Sequence, residues 1–374
     1  MPQVNKSPVL LILILACAVG SAAQQQAPSS TPIGSQEPMS QPPVAHPNPQ
    51  PPANAPQQAP STPPNQPSDT VRVPQQQQPG TPIDQESGAF IIRKNVQEVT
   101  LHATVVDDRM RLVTDLDKAA FTVFEDGQPQ QITNFRHDDV PVSLGILIDN
   151  SGSMREKRPS VNQAALNLVK ASNPQDEVFI VNFNEEPYLD QDFTNNVDLM
   201  KEALERVSSR GGTAVYDALV AASDHLRKSA KLDKKALLVI TDGEDNASRE
   251  TLEAAIRRLA VDGGPTVYTI GLLNEEEKGP AKKAKRALRL MAEQTGGVSF
   301  FPENYNDVDT ITRQVAHDIR NQYTIGYKPT TPKTSGGFRT VKVEARAPGY
   351  KRLQVRTRTG YYANEGQQAS ASNR

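Results

Sequence analysis

Apolar and polar positions alternate from residue 99 to 105, with Val99, Leu101, Ala103 and Val105 set against Thr100, His102 and Thr104. A period of two predicts a strand with one buried face. Residues 121–124 read as a second strand, Asp126-Gly127 as a hairpin turn and 132–135 as the return strand. After Pro141 the pattern changes. Residues 142–148, 178–183, 236–240, 266–272 and 298–301 read as strands, the first a continuous apolar run of the kind a parallel sheet buries on both faces. Around them, 159–172, 197–207, 214–228, 251–261, 281–294 and 308–319 read as helices. Pro159 suits a first helical turn, and Val215, Leu219, Ala222 and Leu226 share one face. Such alternation implies an α/β fold, a doubly wound and mostly parallel sheet with right-handed crossovers.

Strand composition returns at 323–327, 340–345 and 353–359, with Ser335-Gly336-Gly337 and Pro348-Gly349 as turns. Each flank is too small to be stable alone. The expectation is that 99–135 and 338–362 pair into one small β module with the α/β domain inserted between them. The expected organisation is an N-terminal β segment at 90–138, the α/β domain at 141–320, a C-terminal β segment at 321–363 and a disordered tail at 364–374.

The first 23 residues have another character. Lys6 precedes an apolar run at 9–19, and Ser21-Ala22-Ala23 follows. A charged start, a short apolar core and a small-residue end are the marks of a secretory signal peptide. The run is shorter than the roughly 20 residues a spanning helix needs, so no transmembrane helix is expected in the mature chain. An alternative cut lies before Cys17, where Ile14-Leu15-Ala16-Cys17 resembles a bacterial lipobox and would leave a lipid anchor. Between 24 and 88 lie 17 of the 30 prolines and the glutamine run 75–78, too few apolar residues to offset the entropy of ordering, so a disordered linker is expected. The protein is expected to be exported, to the periplasm, cell surface or medium.

The 374 residues carry 41 Lys+Arg against 43 Asp+Glu, a net charge of −2. That balance argues against a nucleic-acid partner. One cysteine excludes a disulfide framework, and five histidines without an HExxH spacing leave little for a zinc hydrolase.

Ligands of a doubly wound sheet bind at the carboxyl ends of its strands, where strand order reverses. The 142–148 strand runs into Asp149-Asn150-Ser151-Gly152-Ser153, and the 236–240 strand into Thr241-Asp242-Gly243. Gly211-Gly212-Thr213 opens the helix beginning near Ala214. Two carboxylates and three hydroxyls, with neither thiol nor imidazole, suit a hard divalent cation: Mg2+ first, with Mn2+ or Ca2+ as alternatives. Catalysis is not expected. Ser151 and Ser153 have no His near them in sequence, Gly-x-Ser-x-Gly is missing, and no Lys-Ser/Thr follows Gly211-Gly212 as a P-loop requires. Glu244-Asp245 reads equally as a tuning charge or a solvated loop. Asp217 reads as a satisfier of nearby backbone groups. Lys278, Lys282, Lys283, Lys285, Arg286 and Arg289 read as a solvated helix face above Leu288 and Met291.

Asp149-x-Ser151-x-Ser153, Gly-Gly-Thr213 and Ile-Thr-Asp242-Gly resemble the metal-ion-dependent adhesion site of von Willebrand factor type A domains. The resemblance covers about 142–320. On the flanks, Phe121-Thr-Val-Phe-Glu-Asp-Gly, Gln322-Tyr-Thr-Ile-Gly-Tyr and Gly360-Tyr361-Tyr362 resemble the secreted von Willebrand factor A-related family described from acidobacteria. It implies that Ser151 and Ser153 ligate the metal directly, and Thr213 directly or through water. Asp149 and Asp242 would act mainly through water. The function it implies is cation-dependent protein binding or adhesion, the partner supplying an Asp or Glu carboxylate to the metal. The alternative is a structural or assembly role in the cell envelope, the metal only stabilising the domain.

Overall fold

A computed structural model describes residues 98–273 and 278–363, all within one compact unit that spans 87–374. The expected leader, linker and tail, and the triplet Glu275-Glu276-Glu277, lie outside the described residues. The alternating segment forms β1 (Val99–Val106), with Leu101, Ala103 and Val105 buried. β2 (Phe121–Glu125) turns back through Asp126 and Gly127, whose φ angles of 49° and 77° are those of a type I′ turn. Its hairpin partner is β3 (Gln128–Gln130), not the 132–135 segment. A two-residue turn puts Gln128 opposite Glu125, so the return strand starts at once and is spent by Gln130. The apolar residues that follow, in β4 (Ile132–Arg136), pair instead with β11 (Tyr323–Tyr327).

The α/β part runs β5 (Val142–Asp149), α1 (Arg158–Lys170), β6 (Glu177–Phe183), β7 (Pro187–Thr194), α2 (Val197–Glu205), α3 (Val215–Ser229), β8 (Lys234–Thr241), α4 (Leu252–Leu259), β9 (Thr266–Gly271), α5 (Lys278–Thr295), β10 (Ser299–Phe300) and α6 (Val308–Arg320). Its six strands stand in the order β10-β9-β8-β5-β6-β7. All neighbours are parallel except β7, an antiparallel edge strand that the residue pattern did not disclose. The chain steps from β5 outward to β6 and β7, then returns to the other side of β5 to lay down β8, β9 and β10. Strand order therefore reverses between β5 and β8.

Each face of the sheet carries its own core. Leu144, Ile146 and Ile148 of β5 meet α1, α2 and α6 through Val161, Leu168, Met200 and Val315. Leu147 points the other way, among Leu219 and Leu226 of α3, Leu259 of α4 and Met291 of α5. Gly145 sits on that second face because nothing larger fits: a Cβ there would lie 2.3 Å from the Phe179 ring and 2.6 Å from Leu237.

The flanks form two further sheets. One is β13 (Gln354–Arg356), β1, β11 and β4; the other is β14 (Gly360–Tyr362), β12 (Phe338–Ala345), β2 and β3. They share one core, built from Leu101, Val123, Tyr323, Ile325, Tyr327, Val343 and Tyr361 among others. Within it the Glu125 carboxylate accepts from Tyr327 Oη at 2.5 Å, Tyr361 Oη at 2.9 Å and Arg339 Nη1 at 2.9 Å. One buried acid thus ties β2, β11, β12 and β14 together. The β sheets meet the α/β part where Arg358 donates to the carbonyls of Val261 and Gly264, and Tyr362 N donates to Ala260 O.

Candidate metal centre

β5 and β8 end side by side at the point where strand order reverses, so their carboxyl ends present Asp149 and Asp242 to the same place. Asp149 is fully buried. Its Oδ1 accepts the Ser151 N–H at 2.8 Å, and its Oδ2 accepts the Thr241 hydroxyl at 2.6 Å. Thr241 was not singled out in sequence; the parallel register that sets Ile148 beside Ile240 brings it alongside Asp149. Burial is the largest influence on the Asp149 carboxyl and pushes its pKa up. The hydrogen bonds from Thr241 and Ser151 oppose that shift, and the neighbouring Asp242 charge adds to it.

After Asp149 the chain turns sharply, and the turn is pinned from outside. Asn150 N donates to Phe183 O, Asn150 Nδ2 to Ser208 O, and Gly152 N to Gly211 O. The turn brings Ser151 Oγ and Ser153 Oγ to 3.2 Å, and Ser153 Oγ donates to Asp242 Oδ1 at 2.8 Å. Asp242 Oδ2 pairs with the Lys157 ammonium, which comes from the residue just before α1. Lys157 too was missed in sequence. Its signal is its position four residues after Ser153, on the turn that delivers both serines.

Thr213 is buried and is fixed through its backbone. Its N–H donates to Asn246 Oδ1, and its carbonyl accepts from Asn246 N and Ala247 N. Its Oγ1 lies 3.6 Å from where a Cβ on Gly243 would stand, next to Asp242. Ser151, Ser153, Asp149 and Asp242 thus form one group, and Thr213 stands at its edge. Asp245 accepts from Tyr216 N and Ser248 Oγ at the start of α3, and Asp217 accepts from the N–H groups of Arg249 and Glu250. Both are spent on the loop frame. Glu244 pairs with Lys283.

The donor set has the chemistry a hard cation requires. At a metal–oxygen distance near 2.1 Å, adjacent ligands of an octahedron stand ~3 Å apart. The Ser151–Ser153 and Ser153–Asp242 oxygen separations of 3.2 and 2.8 Å bracket that value. Among the described residues no group of three His, Cys, Asp or Glu side chains converges in a metal-holding arrangement, so any cation here is held by hydroxyls as much as by acids. With neutral hydroxyls as its nearest donors, a divalent ion here would keep an affinity for a further anion.

The family model of the von Willebrand factor type A domain matches residues 144–244. Over 136 residues the chain is 26% identical to uncharacterized protein sll0103 of Synechocystis sp., covering 35% of this chain and 32% of that protein. Over 164 residues it is 29% identical to calcium-activated chloride channel regulator 3A-1 of Mus musculus, covering 42% of this chain and 17% of that one. The chain therefore spans about a third and under a fifth of these curated relatives. Among solved structures it is similar to the vWF domain of the type V pili tip protein Mfa5 from Porphyromonas gingivalis. The TM-score is 0.41 at 15% identity, over 48% of this chain and 95% of that one. The matched residues 144–244 take in most of β5, all of β8 and all five oxygen-bearing positions, and this chain contains a von Willebrand factor type A domain.

Proposed function

We propose that this protein binds a protein partner through a divalent cation held by Ser151, Ser153 and Thr213, with Asp149 and Asp242 behind them. The observation that carries this reading is the group Ser151–Ser153–Asp242 at the switch point, with oxygens at octahedral spacing. A cation there supplies an open coordination position for a carboxylate of the partner. The chain's own residues do the positioning. Thr241 and the Ser151 N–H hold Asp149 in one rotamer, Asp149 in turn holds the 149–153 turn, and Ser153 is oriented by Asp242. Neither serine hydroxyl has an imidazole among its hydrogen-bond partners in the described residues, which favours binding over acyl transfer.

The surroundings favour an acidic partner. A cleft of about 750 Å3 beside the site is lined by Lys157, Lys278, Lys282 and Lys285, with Phe301 in its wall. The Lys285 ammonium lies 5.0 Å from the Phe301 ring centroid. Lys278 and Lys282 have no carboxylate partner among the described residues. The N-terminal apolar run ending in Ser21-Ala22-Ala23 supports export, so the partner would be met outside the cytoplasm. Calorimetric titration of the metal-stripped full chain with Mg2+, Mn2+ and Ca2+ tests the reading. Saturable binding that is lost in Ser153→Ala and Asp149→Ala is expected. Binding unchanged in both variants, or none by the unaltered chain, overturns it.

A further inference from the structure

A second cleft, of about 560 Å3, opens at the other end of the sheet, where the amino end of β8 faces β1, β4 and the segment after β13. β8 rises ~3.3 Å per residue from Lys234 to Thr241, which puts Lys234 in this cleft ~25 Å from Asp242. Its volume lies in the range of small-molecule sites. Five cationic side chains line it, from Arg136, Lys231, Lys234, Lys235 and Arg358, against the carboxylates of Glu98, Asp233 and Asp262. Asp262 is already paired with Lys333 at 2.6 Å.

The two most buried cations are the informative ones. Lys234 is 2% exposed and Arg358 8%. Lys234 Nζ donates to Ile319 O at 2.5 Å, and the Arg358 guanidinium to Val261 O at 2.9 Å and Gly264 O at 2.5 Å. Carbonyls satisfy their protons but cancel none of their charge, and neither forms an ion pair with a carboxylate among the described residues. On the rim, Arg136 and Lys231 have no side-chain partner among the described residues, and Lys235 reaches only Asp233 O at 3.4 Å. Polar side chains complete the wall, among them Thr100, Asn134 and Thr324. The field is felt within the cleft. His102 is held neutral, its pKa pushed down to about 3 by burial first and then by Lys234, Arg358, Lys235 and Arg136. Burial also takes Lys234 down to about 8 despite the pull of Asp139 and Asp176. Asp139, Asp176 and Asp318 offset the Lys234 charge and Asp262 that of Arg358 only from a distance, without a direct ion pair, and a buried charge so held is costly.

We infer that this cleft is an anion site, taking a small oxyanion of two or more charges, of phosphate or polycarboxylate type, with Lys234 and Arg358 as its floor and Arg136, Lys231 and Lys235 as its rim. Nothing in it depends on the cation site at the other end of the sheet.

The test is calorimetric titration of the metal-stripped full chain, freed of chelator, with sodium phosphate and separately with citrate, at constant ionic strength set by chloride. Arg136→Gln and Lys235→Gln remove rim charges without touching the core. Arg352→Gln, on an exposed turn outside the cleft, makes the same change in net charge. Saturable binding of at least one of the two anions is expected, at least tenfold weaker in each rim variant and unchanged in Arg352→Gln. The tighter of the two identifies the headgroup. Binding of neither anion overturns the inference, and so does binding that weakens equally in all three variants, which would be a response to overall charge. Asp149→Ala should leave anion binding as it is, so this test and that of the cation site fail independently.

Discussion

The Lys157 ammonium pairs with Asp242 Oδ2, while the other oxygen of the same carboxylate accepts from Ser153. Asp242's side chain is 1% exposed, so the pair works in a poorly screened setting. A tethered cation therefore occupies one side of the group that would hold a free one. Any divalent ion that binds Ser151 and Ser153 must share Asp242 with Lys157 or displace it, and like charges at such distances repel by about 1–4 kcal/mol depending on local polarity. Lys157→Met, which keeps the apolar stem, should tighten Mg2+ binding by about tenfold in calorimetry. Unchanged or weaker binding would show that Lys157 turns away as the ion enters and costs it nothing.

How much of this was legible in the sequence depended on whether the chemistry was local. β5 and β8 read plainly because their centres, 144–148 and 236–240, are unbroken apolar runs, as burial on both faces demands, and Asp149 and Asp242 stood out as the carboxylates just past those runs. β7 did not read. As an edge strand with Tyr188 and Leu189 exposed and Asp190 and Asp192 among its polar residues, it has neither clean alternation nor an apolar run. Lys157 did not read because its one local signal, a place four residues after Ser153, gains meaning only when its partner, 85 residues on, is known. The same holds for the anion cleft, whose cations come from β4, from β8 and the loop before it, and from the segment after β13.

Thr241 supplies the only side-chain hydroxyl that Asp149 receives from β8, at 2.6 Å and with both residues fully buried. Thr241→Val keeps the shape and removes the donor, leaving a buried carboxylate oxygen short of a partner. Such a loss costs about 1–3 kcal/mol. Urea unfolding of the metal-stripped chain should show that loss in the midpoint with no change in slope. Saturating Mg2+ should recover part of it, because a nearby cation supplies what the hydroxyl no longer does. Equal destabilisation with and without Mg2+ would separate Asp149 from the cation site.

His102 gives the acid limb of the stability profile a definite sign. From β8, Lys234 and Lys235 face it, from β4 Arg136 and from the segment after β13 Arg358; burial with these charges lowers its pKa from 6.5 to about 3. The unfolded chain binds the proton near 6.5 and the folded one only near 3, so the contribution is whole above pH 6.5 and is lost as pH falls towards 3. At about 1.4 kcal/mol per unit, reduced for the partial exposure of the ring, the loss by pH 4.5 is about 2 kcal/mol. His102→Gln should narrow the stability gap between pH 7.5 and 4.5 by that amount in denaturant unfolding. A gap as wide as that of the unaltered chain would mean that the ring is protonated without penalty. Because phosphate or citrate in the cleft offsets the cations around the ring, either anion that binds should also raise the pH at which His102 titrates, readable from its ring resonances.

Glu125 and Arg339 lie 2.9 Å apart and are both 3% exposed, with Tyr327 and Tyr361 completing the acid's partners. A buried pair of this kind contributes little net stability, since desolvation offsets attraction, yet removing one member leaves the other charged and uncompensated at a cost of 3–5 kcal/mol. Arg339 keeps the carbonyls of Thr331 and Pro332, which moderates that loss. Glu125→Gln should therefore destabilise the chain by about 3 kcal/mol, with cation binding at Ser151 and Ser153 unaffected because the module lies outside the switch point. Adding Arg339→Met to Glu125→Gln should restore most of the stability, a coupling read from the double-mutant cycle. If the double variant were as unstable as the single one, the tyrosine hydroxyls rather than the ion pair would be what joins β2, β11, β12 and β14. Tyr327→Phe would then be the variant that loosens both sheets.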